Sequence, residues 1–269
     1  MTSSRLALSF GGAILFCACI TAAGPCGKLY AEALNPELYS IPAGGAVQRV
    51  YDETSSRYRV SSSETSFTLP DTPYQKVLSR SAGEHGAVIT VSAGRYSSTG
   101  AGSPERYTAN TRLLSLAAPE IQGLAKKFIA SRDKPAAVSA FVYRHISRKI
   151  FGIPMLSAVQ IYRGRSGDCT EHAVLTVAVL RALGIPARAV VGMLLSPDFG
   201  GRRDVFVFHM WAEAFVNGKW LLVDATRPRD IHPNRYIALA YHSLQTEMPL
   251  SYLKAVAAVR NLTVQYVGR

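Results

Sequence analysis

Between Ala46 and Val91 apolar and polar residues alternate in short runs: Val47-Gln48-Arg49-Val50-Tyr51, Tyr58-Arg59-Val60, Ser66-Phe67-Thr68-Leu69 and Ala87-Val88-Ile89-Thr90-Val91. Gly, Pro, Asp and Ser punctuate them, so a period of two predicts strands joined by turns. After Pro119 the period lengthens. Pro119 to Ala130 reads as a helix, and Asp133 with Pro135 supplies the cap and first turn of a second, whose apolar face holds Val138, Phe141, Val142 and Ile146. His145 lies beside that face and reads as a packed core histidine. A third helix runs from about Cys169 to Leu183, with a wide stripe of Val174, Leu175, Ala178, Val179 and Ala182, stopped by Gly184 and Pro186. Ala187 to Leu195 then reads as a strand, Ser196 to Asp204 as a polar loop, and Val205 to Phe215 as a second strand. Asn217-Gly218 signals a type I′ hairpin returning through Lys219 to Asp224.

Length and composition exclude several classes. The chain has 269 residues, 48% hydrophobic and 18% charged, with no repeat or low-complexity block, which rules out disorder, collagen and solenoids. Arg5 precedes eighteen uncharged residues, Leu6 to Ala23, the pattern of an export signal. Ala31-Glu32-Ala33 offers an A-x-A cleavage site, giving a signal peptide over 1–33. An uncleaved membrane anchor is the alternative, and Phe16-Cys17-Ala18-Cys19 matches a lipobox poorly. The expected location is periplasmic or extracellular, with membrane contact only if the segment stays attached. Cleavage removes Cys17, Cys19 and Cys26 and leaves Cys169 as a lone thiol with no disulfide partner, which calls for a chemical role.

The predicted organisation is a β-rich region over 34–115, in which Ser97 to Pro104 is a loop or linker and no catalytic residue set occurs, followed by an α+β domain over 116–269. Charge divides along the same line. Residues 34–115 carry eight Lys/Arg and seven Asp/Glu, whereas residues 116–269 carry twenty and ten. The basic half is either a solvated face or a surface for an anionic envelope component, and export disfavours nucleic acid.

Cys169 follows Gly167-Asp168 at the start of an apolar helix, where free N–H groups and the helix dipole favour a thiolate. In the hairpin, a turn at Asn217-Gly218 pairs Val216 with Lys219 and sets Asp224 opposite Trp211, diagonal to His209 on the same face. A carboxylate there can accept the imidazole N–H. The order Cys169, His209, Asp224 supplies a nucleophile, a base and an orienting acid for acyl transfer.

These residues sit in four ordered blocks: Gly167-Asp168-Cys169-Thr170-Glu171-His172-Ala173, Leu180 to Arg188, His209-Met210-Trp211-Ala212-Glu213, and Gly218-Lys219-Trp220 with Asp224-Ala225-Thr226. Over roughly residues 119–230 they resemble the transglutaminase-like superfamily, the papain-related group of transglutaminases, peptide N-glycanases and bacterial exported cysteine proteases. The resemblance implies a papain-like α+β core, helices packed on an antiparallel sheet, with Cys169 as nucleophile, His209 as base and Asp224 as orienting acid. It implies a cofactor-free, metal-free enzyme acting on a peptide or protein amide through a thioester. A noncatalytic envelope-binding module with the same fold is the alternative. Glu171 and Glu213 read as structural acceptors. His172 lies on the same helical side as Cys169, and Trp211 and Trp220 line a groove or fill the core. The Cys169 N–H is one oxyanion donor, with Gln160 and Tyr162 as guesses for the second. Eukaryotic transglutaminases use an upstream tryptophan there, and none precedes Cys169.

Overall fold

The computed structural model describes residues 36–96, 103–151, 155–242, 244–245 and 261–269. The proposed export signal and most of the Ser97–Pro104 linker lie outside them. The strands are β1 (Ser40–Gly44), β2 (Ser56–Ser62), β3 (Gln75–Gly83), β4 (Gly86–Ala93), β5 (Arg148–Lys149), β6 (Ser166–Gly167), β7 (Ala187–Phe199), β8 (Arg202–Val216), β9 (Lys219–Val223), β10 (Tyr236–His242) and β11 (Leu262–Gly268). The α-helices are α1 (Pro119–Lys126), α2 (Lys134–His145), α3 (Ala158–Gly164) and α4 (Cys169–Ala182). Nine of these strands make one sheet in the order β10-β7-β8-β1-β11-β2-β4-β3, with β9 also on β8, while β5 and β6 pair separately. The fold is α+β, with a β-rich N-terminal region.

Residues 34–115 and 116–269 do not part near residue 115. Residues 34–269 form one compact unit. β1 pairs antiparallel with β8 and parallel with β11, and β11 pairs with β2. The two ends of the described chain thus lie side by side inside the sheet, and the β-rich region extends the sheet of the helical part. Periodicity within a segment carries no information about such long-range pairing.

Local readings fail where a short apolar run found another use. Val47–Asp52 is a 3₁₀ helix that buries Val47 and Val50, and Ser66–Leu69 is irregular. Gln75–Gly83, an edge strand, is largely exposed and so lacks the half-buried alternation. The polar loop at Ser196–Asp204 is the tip of a hairpin, since β7 and β8 stay paired out to Phe199 and Arg202 around Gly200-Gly201.

The helical half follows its sequence closely. Asp133 caps α2 by accepting the Ala136 N–H at 3.0 Å. His145 is sandwiched between Phe141 and Tyr162, and its Nε2–H donates to the Tyr162 carbonyl at 2.7 Å. α4 is buried from Thr170 to Arg181 on every side, as expected of a helix that is apolar nearly all round. Asn217 and Gly218 both have positive φ (51° and 76°), the type I′ turn, and Val216 pairs with Lys219 as the sequence predicts.

One buried ion pair ties β7 to β8. Arg188 lies directly across from Glu213, donating from Nη2 at 2.7 Å and Nε at 2.9 Å to one carboxylate oxygen. Its guanidinium is stacked between Tyr241, 3.7 Å from the ring centre, and Trp220, 3.9 Å. Trp220 therefore fills the core and Glu213 is structural, while desolvation of both charges is offset by bonding and stacking. Glu213→Gln leaves the Arg188 charge without its counter-ion and is expected to cost about 3 kcal/mol in denaturant unfolding. A loss below about 0.5 kcal/mol, typical of surface substitutions, would mean that water or another group solvates Arg188.

Candidate active site

Strand β8 organises the site. One edge pairs with β7 throughout, while the other pairs with β1 at Val205–Val207 and with β9 from Ala212 onward. Between these partners the edge is open. The Phe208 N–H still donates to the Tyr39 carbonyl at 2.7 Å, and the next N–H along that edge, Met210's, is near enough to Cys169 to favour its thiolate. The N-terminus of α4 thus meets β8 at a break in its edge, and His209 lies beside it.

The chain reaches that break through a tight entry into α4. Asp168 caps the helix by accepting the Thr170 N–H at 2.9 Å, and Glu171 reaches back to accept the Asp168 N–H at 3.0 Å. Gly167 has φ +147°, and a Cβ there would lie 2.4 Å from the Glu171 side chain, so this capping box needs glycine. Glu171 is the structural acceptor its sequence position predicts. Burial, then the neighbouring Asp168 carboxylate, pushes its carboxyl up to about 8.

His209 Nε2–H donates to Asp224 Oδ2 at 2.7 Å. Asp224 follows β9 directly, one residue past the last paired position, Val223 opposite Ala212. The carboxylate is fully buried and saturated: Oδ2 also accepts the Tyr236 hydroxyl at 2.9 Å, and Oδ1 accepts the Thr226 N–H and hydroxyl at 2.9 and 2.7 Å. Burial alone would raise its pKa. The His209 charge and the bonds from His209 and Thr226 outweigh burial and hold it well below the usual carboxylate range. With Nε2 committed to Asp224, the free ring nitrogen of His209 is Nδ1. Trp211 stacks near that ring, 6.1 Å between centres, and meets Tyr236 edge-on at 5.2 Å.

Cys169 and His209 line one cleft of about 280 Å³, walled by Tyr39, Phe151, Leu194, Val207 and Phe208 and edged by Lys149 and Arg227. The thiol departs from the sequence expectation. Burial pushes its pKa well above that of a free cysteine, and the Asp168, Glu171 and Asp224 carboxylates push further, against the single lowering contact from the Met210 N–H. A helix N-terminus favours a thiolate, but here desolvation and three nearby acids win. The residue is nonetheless partly exposed, on the wall of the cleft.

Other sequence candidates settle away from the chemistry. His172 Nδ1–H donates to the Asp168 carbonyl at 2.6 Å, and burial, followed by the Lys149 charge, lowers its pKa to about 4. It is a neutral core group. Gln160 closes a capping box with Ser157, and Tyr162 stacks on His145, so neither lines the cleft. Lys149, Tyr236 and the Met210 N–H escaped sequence reasoning. Lys149 comes to the cleft through the β5–β6 pairing, where it sits opposite Gly167, and Tyr236 through a strand beyond the last predicted one. Thr226 had a signal in Asp224-Ala225-Thr226, where an aspartate commonly accepts the N–H two residues on.

Residues 119–225, less than half of the chain, match the family model of the transglutaminase-like superfamily, and Cys169, His209 and Asp224 lie within the matched segment. No curated protein matches the sequence. Among solved structures, a cysteine protease candidate from Cytophaga hutchinsonii is similar at 19% identity and a TM-score of 0.47, covering 80% of this chain and 84% of that one. The periplasmic domain of TgpA from Pseudomonas aeruginosa is similar at 21% identity and 0.44, covering 72% and 74%. Red sea bream transglutaminase is similar at 11% identity and 0.33, covering 64% of this chain and 46% of that one.

Iodoacetamide alkylation of Cys169, followed from pH 5 to 10 by mass spectrometry, is expected to inflect above the free-thiol value of about 8.5. Asp168→Asn keeps the helix cap and removes one repelling charge, so its inflection should fall. An inflection near pH 6 in the wild type would instead show a preformed thiolate.

Proposed function

We propose that the protein is an exported thiol enzyme that breaks or transfers amide bonds through an acyl-enzyme on Cys169. The observation that carries this reading is the His209–Asp224 bond at the same cleft as Cys169, with the acid buried, saturated and ionised. His209 Nδ1 takes the thiol proton as sulfur attacks the substrate carbonyl carbon. The tetrahedral intermediate collapses with loss of the C–N bond, and the imidazolium returns that proton to the departing amine. A thioester remains. Water or a second amine, deprotonated by His209, attacks it, releases the acid or a new amide, and the proton passes back to sulfur. Asp224 holds the ring with Nε2–H inward and stabilises the imidazolium between these steps.

A thiol whose pKa is raised fits this scheme, since the proton moves during attack. The free N–H of Cys169 at the first turn of α4 serves as one oxyanion donor. The basic residues 116–269 and the uncharged run Leu6–Ala23 support an exported protein working on peptide or protein. Among the described residues no helix is long and apolar enough to cross a membrane.

Incubation with a peptide library and an amine, read by mass spectrometry, distinguishes cleavage, glutamine deamidation and amine transfer. Cys169→Ala should abolish every product. Asp224→Asn should lower kcat by about 10³-fold or more while costing about 1–3 kcal/mol of stability. Wild-type activity in Asp224→Asn would remove the acid from the mechanism, and no product together with an unreactive Cys169 would leave a noncatalytic fold. N-terminal sequencing of protein from its native host should find a start at Leu34, whereas an intact Met1 start would make residues 1–33 an anchor.

A further inference from the structure

A second cleft of about 450 Å³ adjoins the first, and the two share Thr226 and Arg227. Its walls carry Arg144 and Arg229 with Ala140, Pro228 and the half-exposed Tyr143. Arg144 comes from the last turn of α2, whereas Arg227 and Arg229 come from the loop after Asp224, so two separate segments converge on one groove. Arg144 and Arg229 are exposed and make no ion pair with a described residue. At the junction Arg227 is only loosely held: its Nε is 3.9 Å from Asp224 and its Nη1 is 3.9 Å from Asp230, and the enclosed Nε has no hydrogen-bond partner among the described residues. In the first cleft stands Lys149.

Four cations therefore line the two joined clefts, Lys149 and Arg227 beside the thiol and Arg144 and Arg229 beyond it, while Asp168 and Asp230 are the acids on their walls and Glu171 and Asp224 lie buried behind them. Both acids are engaged, Asp168 with the Thr170 N–H and Asp230 with His232 at 2.9 Å. A solvated basic face would spread its charges over a convex surface. Here they line concave walls that run into the thiol cleft, with apolar and aromatic surface between them.

Building on the proposed amide chemistry, we infer that the substrate is an acidic peptide, with carboxylate side chains on both sides of the reacting amide, one held by Lys149 and the others by Arg144, Arg227 and Arg229. Arg forks bind carboxylates in two-point fashion, and the semi-enclosed walls screen the attraction less than open water does. Lys149 is exposed at the edge of the cleft, so a substrate carboxylate can reach its ammonium directly. Apolar side chains of the peptide meet the Phe151, Leu194 and Val207 walls.

Calorimetric titration of the Cys169→Ala chain with two matched short peptides, one bearing Glu and the other Gln around a central glutamine, tests the inference without requiring turnover. The Glu peptide is expected to bind about tenfold more tightly or better at low salt, with the ratio falling as salt screens the charges. Lys149→Gln and the Arg144→Glu/Arg229→Glu pair should each reduce the ratio several-fold at unchanged melting temperature. Equal binding of the two peptides overturns the inference, and so does a preference that survives these substitutions. Adsorption of the protein to anionic lipid vesicles without preference for the Glu peptide also overturns it and assigns the charge to a membrane surface. Equal binding with active turnover would leave the Cys169 chemistry standing. Tight Glu-peptide binding without turnover would do the reverse.

Discussion

Everything at the site depends on a strand that changes partners. β8 is held by β7 along one edge, but on the other it passes from β1 to β9 and leaves a short stretch unpaired. A buried strand edge with unpaired N–H groups is unfavourable, and the N-terminus of α4, itself a place where the backbone lacks partners, meets it there. The Met210 N–H lies near enough to Cys169 to favour its thiolate. The residue before Met210, His209, lines the same cleft as the thiol, and Asp224, which directly follows β9, is bonded to His209. Backbone accounting in a sheet and a helix thus places three side chains at once.

Electrostatics at the site are those of a dry pocket. Asp224 stays ionised because four donor hydrogens, from His209, Tyr236 and Thr226, replace the water it lost. Cys169 has one lowering neighbour, the Met210 N–H, and three acids nearby, so its pKa is pushed up. His172, buried with one ring nitrogen unpartnered, is kept neutral by the same loss of water. Asp224, the Cys169 thiol and His172 are thus set differently by how many hydrogen bonds each keeps in place of solvent. Arg188 and Glu213, further along β7 and β8, show the structural form of that rule, where an ion pair is buried at full length because rings stack over it.

The joining of the two ends of the described chain gives the β-rich region a role in the site. β1, next to β8, ends the paired stretch from one side, and Tyr39 just before it both accepts the Phe208 N–H and lines the cleft. Tyr74, ahead of β3, accepts the Leu222 N–H on its hydroxyl and donates that hydroxyl to the Trp220 carbonyl, bracing the β9 hairpin that carries Asp224. Residues without chemistry of their own thus define where the reactive strand is open and how its hairpin is supported.

By itself the sequence determined the local matters: the helix starting at Cys169, the Asn217-Gly218 turn and, through its two-residue geometry, the His209–Asp224 diagonal. Each depends on a few adjacent residues, whose spacing is set by 3.6 residues per turn or by alternation in a strand. Only the tertiary structure decided the rest. The strands at the two ends of the described chain joined one sheet, an apolar run became a 3₁₀ helix, Lys149 and Tyr236 arrived from distant segments, and the thiol was raised rather than lowered. The physical reason is that pairing register, burial and the field at a buried atom are sums over residues far apart in sequence, and such sums exist only after the chain has folded.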